Sequence, residues 1–197
     1  WRIDSADAWA IFEKISDLDL TIFIHGSYPQ PDQLYKPYHL GGAIGFALGT
    51  LLAMSHAIYS GLLEVLPKLR FVIADHGGGL PFLIDRLDNI YEISDSKIPK
   101  KPSEYFKKLY FDTLCYDQAP LDYTCNKVGP DRLLFGTDTG CPFPIFTKVD
   151  LQLRMVNHLK ISDEDKQKIL GGNAAKLLKI KESEKSAFTV PSSTLNV

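Results

Sequence analysis

Three side chains in this sequence stand where chemistry is commonly done, each closing a short apolar run: His25 after Leu20-Thr-Ile-Phe-Ile24, His76 after Phe71-Val-Ile-Ala74 and Asp75, and Asp138 after Leu133-Leu-Phe-Gly-Thr137. A carboxylate after so apolar a run is costly unless it is paired, hydrogen-bonded or bound to a metal. Imidazole and carboxylate together suit a borderline divalent ion, zinc first and manganese as the other candidate, with an open position to activate water or polarise a substrate oxygen. Each residue also has a plainer reading. His25 could be structural, His76 with its three following glycines could belong to an anion-binding turn, and Asp138 could cap a helix. Three such residues on three strand ends are far less expected by chance than any one of them. His76 is predicted in a tight strand-to-helix turn, where the helix dipole keeps the imidazole neutral and able to act as a base or ligand.

The remaining candidates are weaker. His39 lies in a Pro-flanked loop and could line the pocket mouth, whereas His56 and His158 fall in helical stretches. Asp112 could face the site or bond to neighbouring backbone. Arg86 has the plain reading of a surface ion pair with Asp85 or Glu92, and Cys141 that of a small buried thiol.

The elements that must position these residues are legible from the apolar runs. Leu20–Ile24, Phe71–Ala74, Leu109–Phe111 and Arg132–Phe135 are almost continuously apolar, the pattern of strands buried on both faces of a parallel sheet. Each ends in a polar cluster, and C-terminal strand ends are where barrel enzymes keep their chemistry. Helices are predicted from Ser5, over residues 40 to 66, from Pro81 through Asp95, over Ala119 to Val128, and from the Ser162 cap towards Leu178. Alternating strands and helices imply right-handed crossovers and a parallel α/β sheet. Four βα units are half of a (β/α)₈ barrel, since a complete one takes about 250 residues. Residues 1–180 are read as one partial barrel domain and 181–197 as a polar, solvated tail.

Composition narrows the partners. With 22 Lys+Arg against 24 Asp+Glu and a net charge of -2, the chain has no basic excess for a phosphate backbone or an anionic membrane, so neither nucleic acid nor membrane is expected. The most apolar stretch, Leu40 to Met54, is shorter than the roughly 20 residues of a spanning helix. Three cysteines without CxxC spacing argue for a reducing compartment, the cytoplasm, and against a disulfide framework.

The run His76-Gly-Gly-Gly-Leu-Pro-Phe82 followed by Arg86 resembles the amidohydrolase-related family that includes 2-amino-3-carboxymuconate-6-semialdehyde decarboxylase and the resorcylate-type decarboxylases. Leu66–His76, Leu109–Thr113, Gly129–Asp138 and Asn173–Leu178 resemble family landmarks in the same order, over about Ser5 to Ile180. The resemblance implies a distorted (β/α)₈ barrel of the metal-dependent hydrolase type with one divalent metal, this chain supplying about strands five to eight. It implies that His25 and Asp138 are metal ligands and that His76 acts on metal-bound water or the substrate. It also implies that Arg86 reaches a substrate carboxylate in the neighbouring subunit of a homodimer.

Two departures touch the pocket lining: Gly26-Ser-Tyr-Pro29 follows His25 where the family often has proline, and Thr139-Gly-Cys-Pro-Phe143 follows Asp138 where it commonly has Tyr-Pro-Phe. The family's first-strand His-x-His pair has no counterpart here, so the chain is expected to be a fragment with about half of the coordination sphere. The expected activity is metal-dependent decarboxylation of a small aromatic or unsaturated carboxylic acid. The alternatives are metal-dependent hydrolysis of a lactone, ester or amide, and a catalytically incomplete half-barrel.

Overall fold

The structure, a computed structural model, describes residues 2–27, 31–140 and 149–180. Helix α1 (Ala6–Asp17) starts where Ser5 accepts a hydrogen bond from the Ala8 N–H, the cap expected from sequence. Strand β1 (Thr21–Ile24) leads through turns to α2 (Phe46–Tyr59) and α3 (Leu62–Val65), and β2 (Arg70–Ile73) follows. Next come α4 (Leu80–Tyr91), α5 (Pro102–Phe106), β3 (Tyr110–Asp112), α6 (Gln118–Val128) and β4 (Leu133–Leu134). The described chain closes with α7 (Val149–His158), α8 (Asp163–Gln167) and α9 (Asn173–Leu177).

The four strands form one parallel sheet in sequence order, β1-β2-β3-β4, with Thr21 beside Arg70, Val72 beside Tyr110 and Phe111 beside Leu133. Arg70 fixes the first register, donating to the Thr21 hydroxyl and to Asp19 at the open end of the sheet. The last strand is only two residues long because Phe135 turns away to bond the Ile169 carbonyl. Asn173 then donates to the carbonyls of Pro130 and Leu133, both at 2.8 Å, tying β4 to the C-terminal helices.

The two faces of the sheet are covered unequally. Phe71, Ile73, Phe111 and Leu133 join Phe12, Met54, Ile58, Leu80, Ile84 and Leu121 in one large core under the helices. On the other face, Val72 and Leu134 cluster with Leu177, Tyr110 and Ala174 among the described residues. Phe23, the neighbour of Val72 in β1, is 64% exposed. The expectation that every strand is buried on both faces therefore fails at β1. It is an edge strand among the described residues, and its second face is touched at Thr21, whose hydroxyl donates to the Leu177 carbonyl, but left open at Phe23.

Several helix boundaries also move. The stretch read as one helix over 40 to 66 is divided: a π turn covers Gly41–Gly45 and left-handed Gly61 separates α2 from α3. The helical run Pro37–Tyr59 has 23 residues, longer than the apolar stretch read from sequence and enough by length and composition to cross a membrane. Its Met54, Ala57 and Ile58 instead share the core with Phe71 and Ile73. Helix α4 stops at Tyr91 rather than Asp95, and α5 was not anticipated because five residues carry too little periodicity. The Ser162 cap holds, its hydroxyl accepting from the Asp165 N–H, although a π turn at Lys168–Gly172 interrupts the helical path to Leu178. Cys141, Pro29, the Pro142-Phe143 pair and the 181–197 tail lie outside the described residues.

Candidate active site

The turns after β1, β2 and β4 bring His25, His76 and Asp138 to one cavity of about 1090 Å³. Its remaining wall is mostly apolar and aromatic, with Phe46, Phe82, Leu114, Tyr116 and Tyr123 prominent. Helix α2 forms one side by unusually close approach to the loops. A Cβ on Gly49 would lie 1.9 Å from the Ser27 carbonyl oxygen, so only glycine permits that contact. The Gly26 N–H donates to the Thr50 hydroxyl at 3.0 Å, fixing the backbone next to His25.

The His25 Nδ1 lies 2.9 Å from the Gly26 carbonyl oxygen, and the ring packs edge-on against Phe46. A carbonyl can only accept, so Nδ1 carries the proton and Nε2 keeps its lone pair. That is the tautomer of a histidine prepared to bind a metal.

His76 sits in a turn, Asp75–Gly79, whose five residues all have positive φ. Gly78 is fixed by contact as well as by conformation, since a Cβ there would fall 2.1 Å from the Ala47 carbonyl oxygen. The His76 ring is spanned by two carbonyls, Asp112 O at 3.0 Å from Nδ1 and Pro120 O at 3.1 Å from Nε2. Burial lowers its pKa below the usual histidine value, against the opposing pull of the two carbonyls. The ring is thus driven towards neutrality, as expected from sequence, but by burial: three left-handed glycines separate it from the first residue of α4.

Asp75 was not singled out in the sequence, although it follows an apolar run as Asp138 does. It lines the cavity, and its Oδ2 is buried without a hydrogen-bond partner among the described residues. Burial raises its pKa, His25 lowers it and Asp138 raises it again, so the three groups feel one another across the cavity. Asp112 takes the quieter of its two sequence readings: its Oδ1 accepts from the His76 N–H at 2.7 Å and the Leu114 N–H at 3.2 Å. His39 is exposed and does not line the cavity, contrary to the expectation for it, and His56 bonds Asp4 at the surface. Arg86 is exposed on α4 and is not part of the lining; Asp85 and Glu92 pair with Lys127 and Lys101 instead.

Among the described residues, no three His, Cys, Asp or Glu side chains close on a common point. The donors nonetheless fit a divalent cation in kind: an imidazole with its Nε2 lone pair free, the Asp138 carboxylate, and a buried carboxylate oxygen on Asp75 with no other partner. They are a partial set.

The amidohydrolase family profile matches residues 1–180. The chain is 30% identical over 182 residues to 2-amino-3-carboxymuconate-6-semialdehyde decarboxylase of Dictyostelium discoideum, a match covering 90% of this chain and 50% of that protein. Its fold superposes on 5-carboxyvanillate decarboxylase from Sphingomonas paucimobilis with a TM-score of 0.82 at 27% identity, over 92% of this chain and 56% of that one. A dihydroxybenzoic acid decarboxylase from Polaromonas sp. JS666, solved with bound manganese and the inhibitor 2-nitroresorcinol, matches with a TM-score of 0.79 at 26% identity, over 90% of this chain and 55% of that one. The chain spans about half the length of the curated relatives it matches.

Proposed function

The chain belongs to the amidohydrolase family, and from that premise we propose that it carries half of the active site of a divalent-metal-dependent decarboxylase acting on a small aromatic or unsaturated carboxylic acid. In this reading its four strands are strands five to eight of the barrel, and residues 1–180 are the partial barrel domain. The other ligands come from the part of the relatives' length that this chain does not span. The observation that carries the reading is the make-up of the cavity. Its walls are largely apolar and aromatic, and the charged side chains among its described lining are two carboxylates, Asp75 and Asp138, with no lysine or arginine. An anionic substrate would be repelled there unless a cation intervened.

His25 through Nε2 and Asp138 through its carboxylate are the groups assigned to hold that cation; the manganese in the Polaromonas relative makes manganese the first ion to test, with zinc second. When bound, the ion supplies Lewis acidity and a site for the substrate's oxygens. The chain's own residues do the rest. The apolar wall strips water from the substrate carboxylate, favouring its loss as neutral carbon dioxide. The carbon–carboxylate bond breaks, its electron pair stays on the carbon, and that carbon takes up a proton managed by His76 with Asp138. Arg86, away from this cavity, is assigned to the neighbouring subunit's pocket in a homodimer, where it pairs with the substrate carboxylate. The free thiols of Cys115 and Cys125 support a reducing, cytoplasmic setting.

The test is carbon dioxide release from hydroxybenzoates and carboxymuconates by the purified protein, as this chain and within any longer polypeptide that contains it, supplied with manganese chloride. Release from at least one substrate, abolished by chelation, is expected. A manganese-loaded protein that releases none, and instead puts oxygen-18 from water into product, overturns decarboxylation in favour of hydrolysis.

A further inference from the structure

We propose that Asp112 is a positioning residue for His76, its carboxylate gripping the left-handed Asp75–Gly79 turn in the conformation that sets the imidazole on the cavity wall. Glycine accepts positive φ readily, but Asp75 at 54° and His76 at 52° are successive residues whose own preference opposes it. Such backbone persists only where its surroundings over-determine it.

Asp112 supplies that restraint from several directions. Its Oδ1 takes the His76 N–H at 2.7 Å, so the second of the two strained residues is held through its main chain. Its carbonyl oxygen faces His76 Nδ1 at 3.0 Å, holding the ring of the residue whose backbone the side chain holds. The Leu114 N–H at 3.2 Å steadies the carboxylate, and Gly136 closes in from the segment after β4, where a Cβ would come within 2.9 Å of the Asp112 Cβ. Asp112 itself does not line the cavity, so any effect on chemistry passes through His76. The functional part rests on His76 being the proton-handling group; the grip does not.

The experiment uses the full chain, first without any variant. Amide exchange followed by nuclear magnetic resonance is expected to find the His76 and Leu114 N–H groups protected like those of β2, and rapid exchange at His76 would overturn the grip. Asp112→Asn keeps an acceptor oxygen and Asp112→Ala removes it. In the alanine variant, His76 amide exchange should accelerate about 100-fold and the ring nitrogen resonances should move, while the Phe71 amide stays protected. The asparagine variant should retain the wild-type values. In the manganese-supplied enzyme, alanine should lower kcat about 100-fold with KM within about threefold, and asparagine should restore most of it. An alanine variant with His76 resonances and exchange unchanged overturns the proposal. If alanine prevents folding, wild-type protection and the asparagine variant decide it. Absence of carbon dioxide release from every form, wild type included, sinks the decarboxylase reading and leaves the grip to be judged by exchange alone.

Discussion

Asp75, His76 and Asp138 share left-handed backbone, at φ of 54°, 52° and 54°, and residues with a Cβ adopt it only where their surroundings insist. Their convergence with His25 on one cavity makes a direct prediction. His25→Ala and Asp138→Asn should each weaken manganese binding at least about tenfold, measured by calorimetry; unchanged affinity in both would remove them from the ligand set. Asp112 gives a pH prediction of its own. Burial pushes its carboxyl from the usual range up to about 7. The folded state therefore prefers the protonated form, and its contribution is complete below the unfolded pKa near 4 and is lost as pH rises towards 7. Asp112→Asn removes that titration, so urea unfolding at pH 8 should find the variant as stable as wild type or more so, by up to about 4 kcal/mol, with the difference shrinking towards pH 4. His25, His76 and Asp138 were legible because each closes an apolar run. Asp75 stands in the same kind of position, yet beside a histidine and three glycines it reads as a neighbour; only its orphaned Oδ2 marks it out.

Among the elements, α2 and the strand-end turns are tied by contacts that leave no room for a side chain. Gly78→Ala would bring a Cβ to 2.1 Å from the Ala47 carbonyl oxygen at a φ of 60°. Overpacking of this kind costs about 1–3 kcal/mol and the left-handed conformation about 1–2 more. The variant should unfold at lower urea with a displaced His76, while the exposed Gly171→Ala should differ from wild type by under about 1 kcal/mol. Asn173→Ala removes two hydrogen bonds that hold the end of β4, and is expected to cost about 2 kcal/mol in the same measurement. The strands, the Ser5 cap and the Ser162 cap could be read from sequence because their signals are local. The break at Gly61, the early end of α4 and the short α5 could not, since packing rather than periodicity sets those boundaries.

At the scale of the whole molecule, one face of the sheet lies under a full layer of helices, while the other is thinly covered around Val72 and open at Phe23. An edge strand with an exposed aromatic side chain invites association. The isolated chain is expected to self-associate with rising concentration, and Phe23→Lys should reduce this in light scattering coupled to size exclusion; a wild-type chain monomeric throughout would contradict it. Arg86 also belongs to this scale, because its assigned role requires a second subunit. Arg86→Ala should raise KM about tenfold with little change in kcat if it pairs with a substrate carboxylate across that interface.

Sequence alone determined the order of the four strands and of the longer helices between them, the parallel class of the sheet and the three strand-end residues with chemical potential. Apolar periodicity, caps and strand-end polar groups are properties of neighbouring positions, and a single chain displays them before it folds. Only the tertiary structure decided which groups share a cavity, that burial rather than a helix dipole drives His76 towards neutrality, that the Asp75 Oδ2 has no partner among the described residues, and that Asp112 holds the strained turn. Those facts depend on desolvation and on contacts between residues as far apart as His76 and Asp112, and neither quantity exists until β2, β3 and β4 lie side by side.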